Sequence, residues 1–172
     1  MMTEMNDIEI NIPSDHVFER IVRDSAVVVA RYLGFAEERT ADLQLAVSEA
    51  VTNAIEHGNK GRIDVKVGVH FLLQHDRLAV RVIDQGGNAP ADLTHQPAPH
   101  MEEKLAEDSP RGLGIFLIQQ LVDGVELHSG EGRTEFTMWF NLKETPAEEI
   151  PPAAPGPGAH PPPGDEQSGE ET

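Results

Sequence analysis

Ile63-Asp64-Val65-Lys66-Val67-Gly68-Val69-His70-Phe71 alternates apolar with polar or small residues, and after Gln74-His75-Asp76-Arg77 the alternation resumes in Leu78-Ala79-Val80-Arg81-Val82. Successive side chains of a strand point to opposite faces, so each run is a strand with one buried face. The polar segment between them is a short reversal, and the stretch predicts an antiparallel hairpin.

Upstream, two helices arrive together. From about Glu37 to His57 the apolar set Leu43, Val47, Ala50, Val51 and Ala54 recurs at three- and four-residue steps, with Gly58 where a C-terminal glycine belongs. Before it, Ser14 is placed to cap a helix whose apolar positions Val17, Ile21, Val28 and Leu33 lie near one face, and Gly34 is placed to stop it. The core is expected to claim those positions, leaving charged faces for partners. Ile8, Ile10 and Ile12 alternate as a first short strand that ends at Pro13.

Downstream, Gln85 to Pro110 holds no period and reads as a long loop, a lid. A short helix from Arg111 to about Val122, a strand at Val125 to His128, a turn at Ser129 to Gly132 and a last strand from Thr134 to Leu142 complete the order β-α-α-β-β-lid-α-β-β. Paired helices followed by hairpins imply an α+β, two-layer sandwich: a mostly antiparallel sheet with helices on one face. A doubly wound parallel sheet is disfavoured.

Composition narrows the function. The 172 residues carry 13 Lys plus Arg against 30 Asp plus Glu, a net charge of -17. Residues 144–172 hold seven of the acids and no base, together with many of the prolines, and read as a disordered acidic Pro/Gly-rich tail. A body that still has 23 acids against 13 bases repels phosphate backbones and anionic lipid, so direct nucleic-acid or membrane binding is not expected and a protein surface is the better partner. There is no cysteine, which removes thiolate metal sites, disulfides and cysteine nucleophiles and fits a cytoplasmic setting. The first dozen residues lack a basic residue, so no secretory start is expected, and apolar runs of about five residues are far short of the ~20 that a membrane helix needs.

Three clusters carry chemistry. On the second helix, Glu49, Asn53 and then Glu56 or His57 share a polar face. Such a stripe alone is most often solvated, but a carboxylate can take a proton from an attacking hydroxyl and a carboxamide oxygen is a hard ligand suited to Mg²⁺. At a strand end, Asp84-Gln85-Gly86-Gly87 could accept a hydrogen bond from an exocyclic amine such as that of adenine, with glycines admitting a flat ligand; alone it is a turn. Arg111-Gly112-Leu113-Gly114-Ile115 opens a helix, where unpaired amide groups and the helix dipole favour phosphate. The eight histidines form no His-x-His or His-Glu-x-x-His pair, and His57 is expected to cap its helix.

Together, Ser48-Glu49-Ala50-Val51-Thr52-Asn53-Ala54-Ile55-Glu56-His57-Gly58, Asp84-Gln85-Gly86 and Arg111-Gly112-Leu113-Gly114-Ile115 resemble the N, G1 and G2 boxes of the GHKL ATP-binding superfamily, and more narrowly the bacterial anti-sigma factors with serine-protein kinase activity. The resemblance implies a Bergerat-type ATP-binding fold over residues 1–143, followed by the tail, 144–172. It implies ATP and Mg²⁺ as cofactors. It also implies Glu49 as the base that activates a protein serine, Asn53 as the Mg²⁺ ligand, and Asp84 on the adenine amine. Gly86 would let the nucleotide pack on the backbone, and Gly112, Leu113 and Gly114 would give amides to the phosphates. Arg111 would lie near the terminal phosphates and Thr134 near the base. The segment Gly87-Asn88-Ala89-Pro90 departs from the family's usual continuation, with Asp92 as a partial replacement for its acid. The partners implied are a sigma factor and an anti-sigma-factor antagonist, and the resemblance admits a homodimer. A module that holds ATP without catalysis and acts by occupancy is the alternative, against which Glu49 counts. An ATPase coupled to conformational work would need further domains.

Overall fold

The computed structural model describes residues 6–87 and 111–142. Along the chain run β1 (Asn6–Pro13), α1 (His16–Tyr32), α2 (Glu37–Asn53) continuing into a π-helical turn at Ala54–Gly58, β2 (Lys66–Leu73), β3 (Arg77–Asp84), α3 (Arg111–Leu121), β4 (Gly124–Gly130) and β5 (Arg133–Asn141). The strands form one sheet in the order β1-β2-β3-β5-β4, and every neighbouring pair is antiparallel. The α+β order read from the sequence is therefore the order of the fold.

Period-2 alternation explains the two layers. Val67, Val69 and Phe71 of β2, Leu78, Val80 and Val82 of β3, and Phe136, Met138 and Phe140 of β5 are all buried. Their register aligns them across strands: Val69 faces Val82, which faces Phe136, and Phe71 faces Val80, which faces Met138. Leu43, Ala46, Val47, Ala50 and Val51 turn the apolar side of α2 into the same core. At the far end of the helical layer, Arg39 of α2 donates to the Leu121 carbonyl (2.8 Å) and pairs with Asp123, which fixes the end of α3 beside α2.

Helix α1 corrects the expectation made for it. Val17, Ile21 and Val28 are 75%, 52% and 67% exposed, and Tyr32 joins them at 75%. At 100° per residue these four fall within about 60° of arc, whereas the buried stripe is Val22, Ala26, Val29 and Ala30 on the other side. Two apolar stripes compete on this helix, and the one rich in alanine wins the core because small side chains let α1 lie close on α2. Only Leu33 of the expected set packs against the core. The premise that α1 offers partners nothing but charge is thus removed.

Boundaries also move: β4 runs on through Ser129 and Gly130, which were expected in the turn. The N-cap of α1 is Asp15, whose side chain accepts from the Val17 amide at 2.9 Å, while the Ser14 hydroxyl donates instead to the Val65 carbonyl at 2.6 Å. Ile63 and Val65 precede the strand: the Val65 amide closes a turn on the Arg62 carbonyl, and β2 begins only at Lys66, opposite Pro13. The end of the second helix widens into the π turn, and Gly58 lies within that turn instead of after it. The lid residues 88–110, with Asp92, and the tail lie outside the described residues. Among the described residues no helix is long and apolar enough to cross a membrane.

Candidate active site

A cavity of about 220 Å³ opens between the end of α2, the end of β3, the start of β5 and the first turns of α3. Its apolar walls are Ala50, Ala54, Val82, Ile115, Leu127 and Phe136, and its polar points are Asn53, His57, Asp84 and Thr134, with Gly58, Lys60 and Gly86 at its edge. A slot with apolar faces and a few polar groups suits a flat heteroaromatic ring. Four of the residues singled out in the sequence, Asn53, Asp84, Gly86 and Thr134, meet in this one cavity.

Asp84 reaches it because it is the last residue of β3, paired with Thr134 of β5. It is 8% exposed, and its Oδ1 accepts from the Gly86 amide at 2.8 Å, an Asx-type turn that aims the carboxylate inward. The chain comes very close on the opposite side. A Cβ added to Gly58 would lie 2.2 Å from the Asp84 Cγ and 2.5 Å from both carboxylate oxygens, and one added to Gly86 would lie 2.6 Å from the Gly58 carbonyl oxygen. Only glycine fits at 58. π turns recur at functional sites, and this one brings the Gly58 backbone against the acid.

Glu49 and Asn53 lie one turn apart on α2 and meet α3. A Cβ on Gly114 would lie 2.0 Å from Glu49 Oε1 and 3.1 Å from Asn53 Nδ2, so the first turn of α3 rests directly on the acid and the amide. Burial, and next the neighbouring Glu56 carboxylate, push the Glu49 carboxyl above the usual glutamate range. The Asn53 Nδ2 is buried and has no hydrogen-bond partner among the described residues. A buried orphan amide beside a carboxylate and a helix N-terminus is costly unless a ligand completes it. Among the described residues no three His, Asp or Glu side chains cluster as a metal cage.

Arg111 and Gly112 open α3, Leu113 is half-buried and Gly114 is buried. Of these four, the contacts described belong to Gly114. Nothing in the local pattern assigns Lys60 to the site, yet it lines the cavity from a left-handed backbone (φ 55°); His57 lies in the last turn, where a helix-end role was expected, and lines the cavity as well. The sequence reading also missed the apolar walls Ile115 and Leu127. Lys60 next to Gly61 at a helix end was a signal for an unusual turn, but nothing local pointed it at Asp84.

Comparison with known proteins agrees with this geometry. The family model described as histidine kinase-like ATPase domain matches residues 12–140. The serine-protein kinase RsbW of Bacillus pumilus is 39% identical over 134 residues, 74% of this chain and 81% of that protein. That of Listeria monocytogenes is 34% identical over 149 residues, 84% and 94% of the two chains. Two solved structures share the fold. The RsbU and RsbW domains of Rv1364c from Mycobacterium tuberculosis match with a TM-score of 0.58 at 23% identity, over 80% of this chain and 32% of that longer one. The SiaB–SiaC complex from Pseudomonas aeruginosa matches with a TM-score of 0.55 at 15% identity, over 78% and 89%. The chain belongs to the histidine kinase-like ATPase domain family and, within it, stands with the RsbW serine-protein kinases.

Proposed function

We propose that this protein is an ATP-dependent serine/threonine protein kinase that acts as an anti-sigma factor, holding a sigma factor and phosphorylating an anti-sigma-factor antagonist. The observation that carries the catalytic part is that Asn53, which lines the same cavity as Asp84, lies with Glu49 against Gly114 in the first turn of α3. Adenine enters between Val82, Ile115 and Phe136 with its exocyclic amine on Asp84 and with Thr134 beside it, and the backbone at Gly86 lies along its edge. The phosphates then run toward α3, where the amides of Gly112, Leu113 and Gly114 receive them and Arg111 supplies a cation.

Asn53 would hold Mg²⁺ through its carboxamide oxygen, and the ion would supply neutralisation of the triphosphate charge. Glu49 accepts the proton of the substrate serine hydroxyl as that oxygen bonds to the γ-phosphorus and the bond from that phosphorus to the β-γ bridging oxygen breaks, leaving phosphoserine and ADP. Phosphoryl transfer asks mainly for position and charge balance, which a shallow slot with one base can provide. The family relationship to proteins named serine-protein kinases supports this reading. The domain division at 143, the cytoplasmic setting and a homodimer belong to the same proposal.

The test is calorimetric. Asn53→Ala is expected to weaken Mg-ATP binding about tenfold or more through loss of a metal ligand, and to weaken binding of ATP without magnesium much less. Equal affinity of Asn53→Ala and the unaltered protein for Mg-ATP would contradict the assignment.

A further inference from the structure

Asn59 is fully buried and spends its side chain on three chain segments at once. Its Oδ1 accepts from the Gln85 amide at 2.7 Å, and its Nδ2 donates to the Ser14 Oγ at 2.8 Å and to the Lys66 carbonyl at 3.1 Å. Ser14 passes its own hydroxyl proton on to the Val65 carbonyl. Both donors of the amide are used and its oxygen is engaged, in a place from which water is excluded. Two of these bonds hold structure together. The third lands on the peptide that directly follows Asp84.

That peptide is what sets the direction of the acid. Asp84 Oδ1 already takes the Gly86 amide, and the Gly58 backbone, adjacent to Asn59 in the chain, lies against the carboxylate. The Asp84-Gln85-Gly86 turn is therefore fixed from two consecutive residues: Gly58 gives it room and Asn59 gives it a bond. We infer that Asn59 is a positioning residue for base recognition, holding the Asp84 carboxylate in the one direction that accepts an exocyclic amine and turns away a ring carbonyl. The inference rests on the proposal that Asp84 meets the purine. A carboxylate that rotates freely still attracts an amine, but it no longer repels the 6-carbonyl of guanine from a fixed point, so discrimination suffers along with affinity.

Binding of ATP and GTP is compared by calorimetry in the full chain, at a temperature where circular dichroism shows each variant folded. Asn59→Ala is expected to raise the ATP dissociation constant about tenfold and to narrow the ATP-over-GTP preference by a similar factor, with kcat at saturating ATP within about twofold. Ser14→Ala removes two structural bonds, from Asn59 Nδ2 and to the Val65 carbonyl, but leaves the bond to the Gln85 amide, and it should lower the melting temperature while leaving nucleotide preference unchanged. Asn59→Ala with unaltered affinity and preference, or Ser14→Ala as indiscriminate as Asn59→Ala, overturns the inference. So does a Gln85 amide that exchanges with solvent in the unaltered protein as fast as an exposed loop amide, a reading that needs no variant. Failure of the unaltered protein to bind either nucleotide overturns the nucleotide proposal itself.

Discussion

Glu49→Gln is expected to lower serine phosphorylation by a factor of about 10² to 10⁴ while leaving ATP affinity within about twofold. The amide has the shape of the acid and meets Gly114 as the acid does, so the fold and the slot are kept. What is lost is the ability to take the hydroxyl proton, and a positioned general base contributes a factor of that size. The same residue sets the pH profile. Its carboxyl is held above the ordinary range, by burial first and by Glu56 second, and the base works only when deprotonated. The rate should therefore fall as pH drops through that raised value, with an acid limb lying above the usual glutamate range. Glu56→Gln should move the limb toward lower pH without erasing the shift, because burial remains. Phosphoserine formation with Mg-ATP, followed by mass spectrometry across pH, checks both effects. Full activity in Glu49→Gln would transfer the base to another group, and no phosphoserine from the unaltered protein would favour inhibition by occupancy.

Gly58→Ala is expected to weaken ATP binding about 10- to 100-fold, an effect large for the addition of one methyl group. That methyl cannot be placed without moving the Asp84 carboxylate, whose Cγ stands 2.2 Å from the new atom. Asp84 is a short side chain at the end of a paired strand, so the carboxylate turns out of the slot and its bond to the base is lost; bonds to charged groups are worth about 1.5–3 kcal/mol. Helix propensity alone would favour alanine over glycine at this turn. The variant should remain folded, with a melting temperature lowered by the loss of the Asp84 bond to the Gly86 amide, and bind poorly. Calorimetry beside thermal denaturation separates the two outcomes. Normal affinity in a folded Gly58→Ala protein would show that the acid does not need this close approach.

The parts of the molecule that the sequence makes plain are those in which one local rule decides. Val67, Val69 and Phe71 alternate because a strand alternates, and Leu43, Val47 and Val51 recur because a helix buries one stripe. Helix α1 defeats that rule. Val17, Ile21 and Val28 form as good an apolar stripe as Val22, Ala26 and Val29, and the choice between them is made by how closely α2 approaches, which no local pattern records. Gly58 teaches a related point. It reads as a helix stop, and its actual requirement is space beside Asp84, 26 positions away in the chain. No local pattern marks Asn59, and only the fold shows its oxygen on the Gln85 amide. Glu49, Asn53, Asp84 and the glycines of α3 were legible because their residue types are demanded by chemistry and their order matches a known set of motifs. Lys60 and the apolar walls were not, since a lysine in a turn and an isoleucine in a helix have no chemistry of their own.

The central claim is that the acid and amide of α2, the strand-end aspartate and the first turn of α3 face one bound nucleotide. Nuclear magnetic resonance of nitrogen-15-labelled protein titrated with Mg-ADP tests this directly. The Asn53 side-chain amide and the backbone amides of Gly86 and Gly114 are expected to shift together and to report a single dissociation constant. Shifts confined to one of these three places, or none at concentrations that saturate the thermal response to nucleotide, would contradict it.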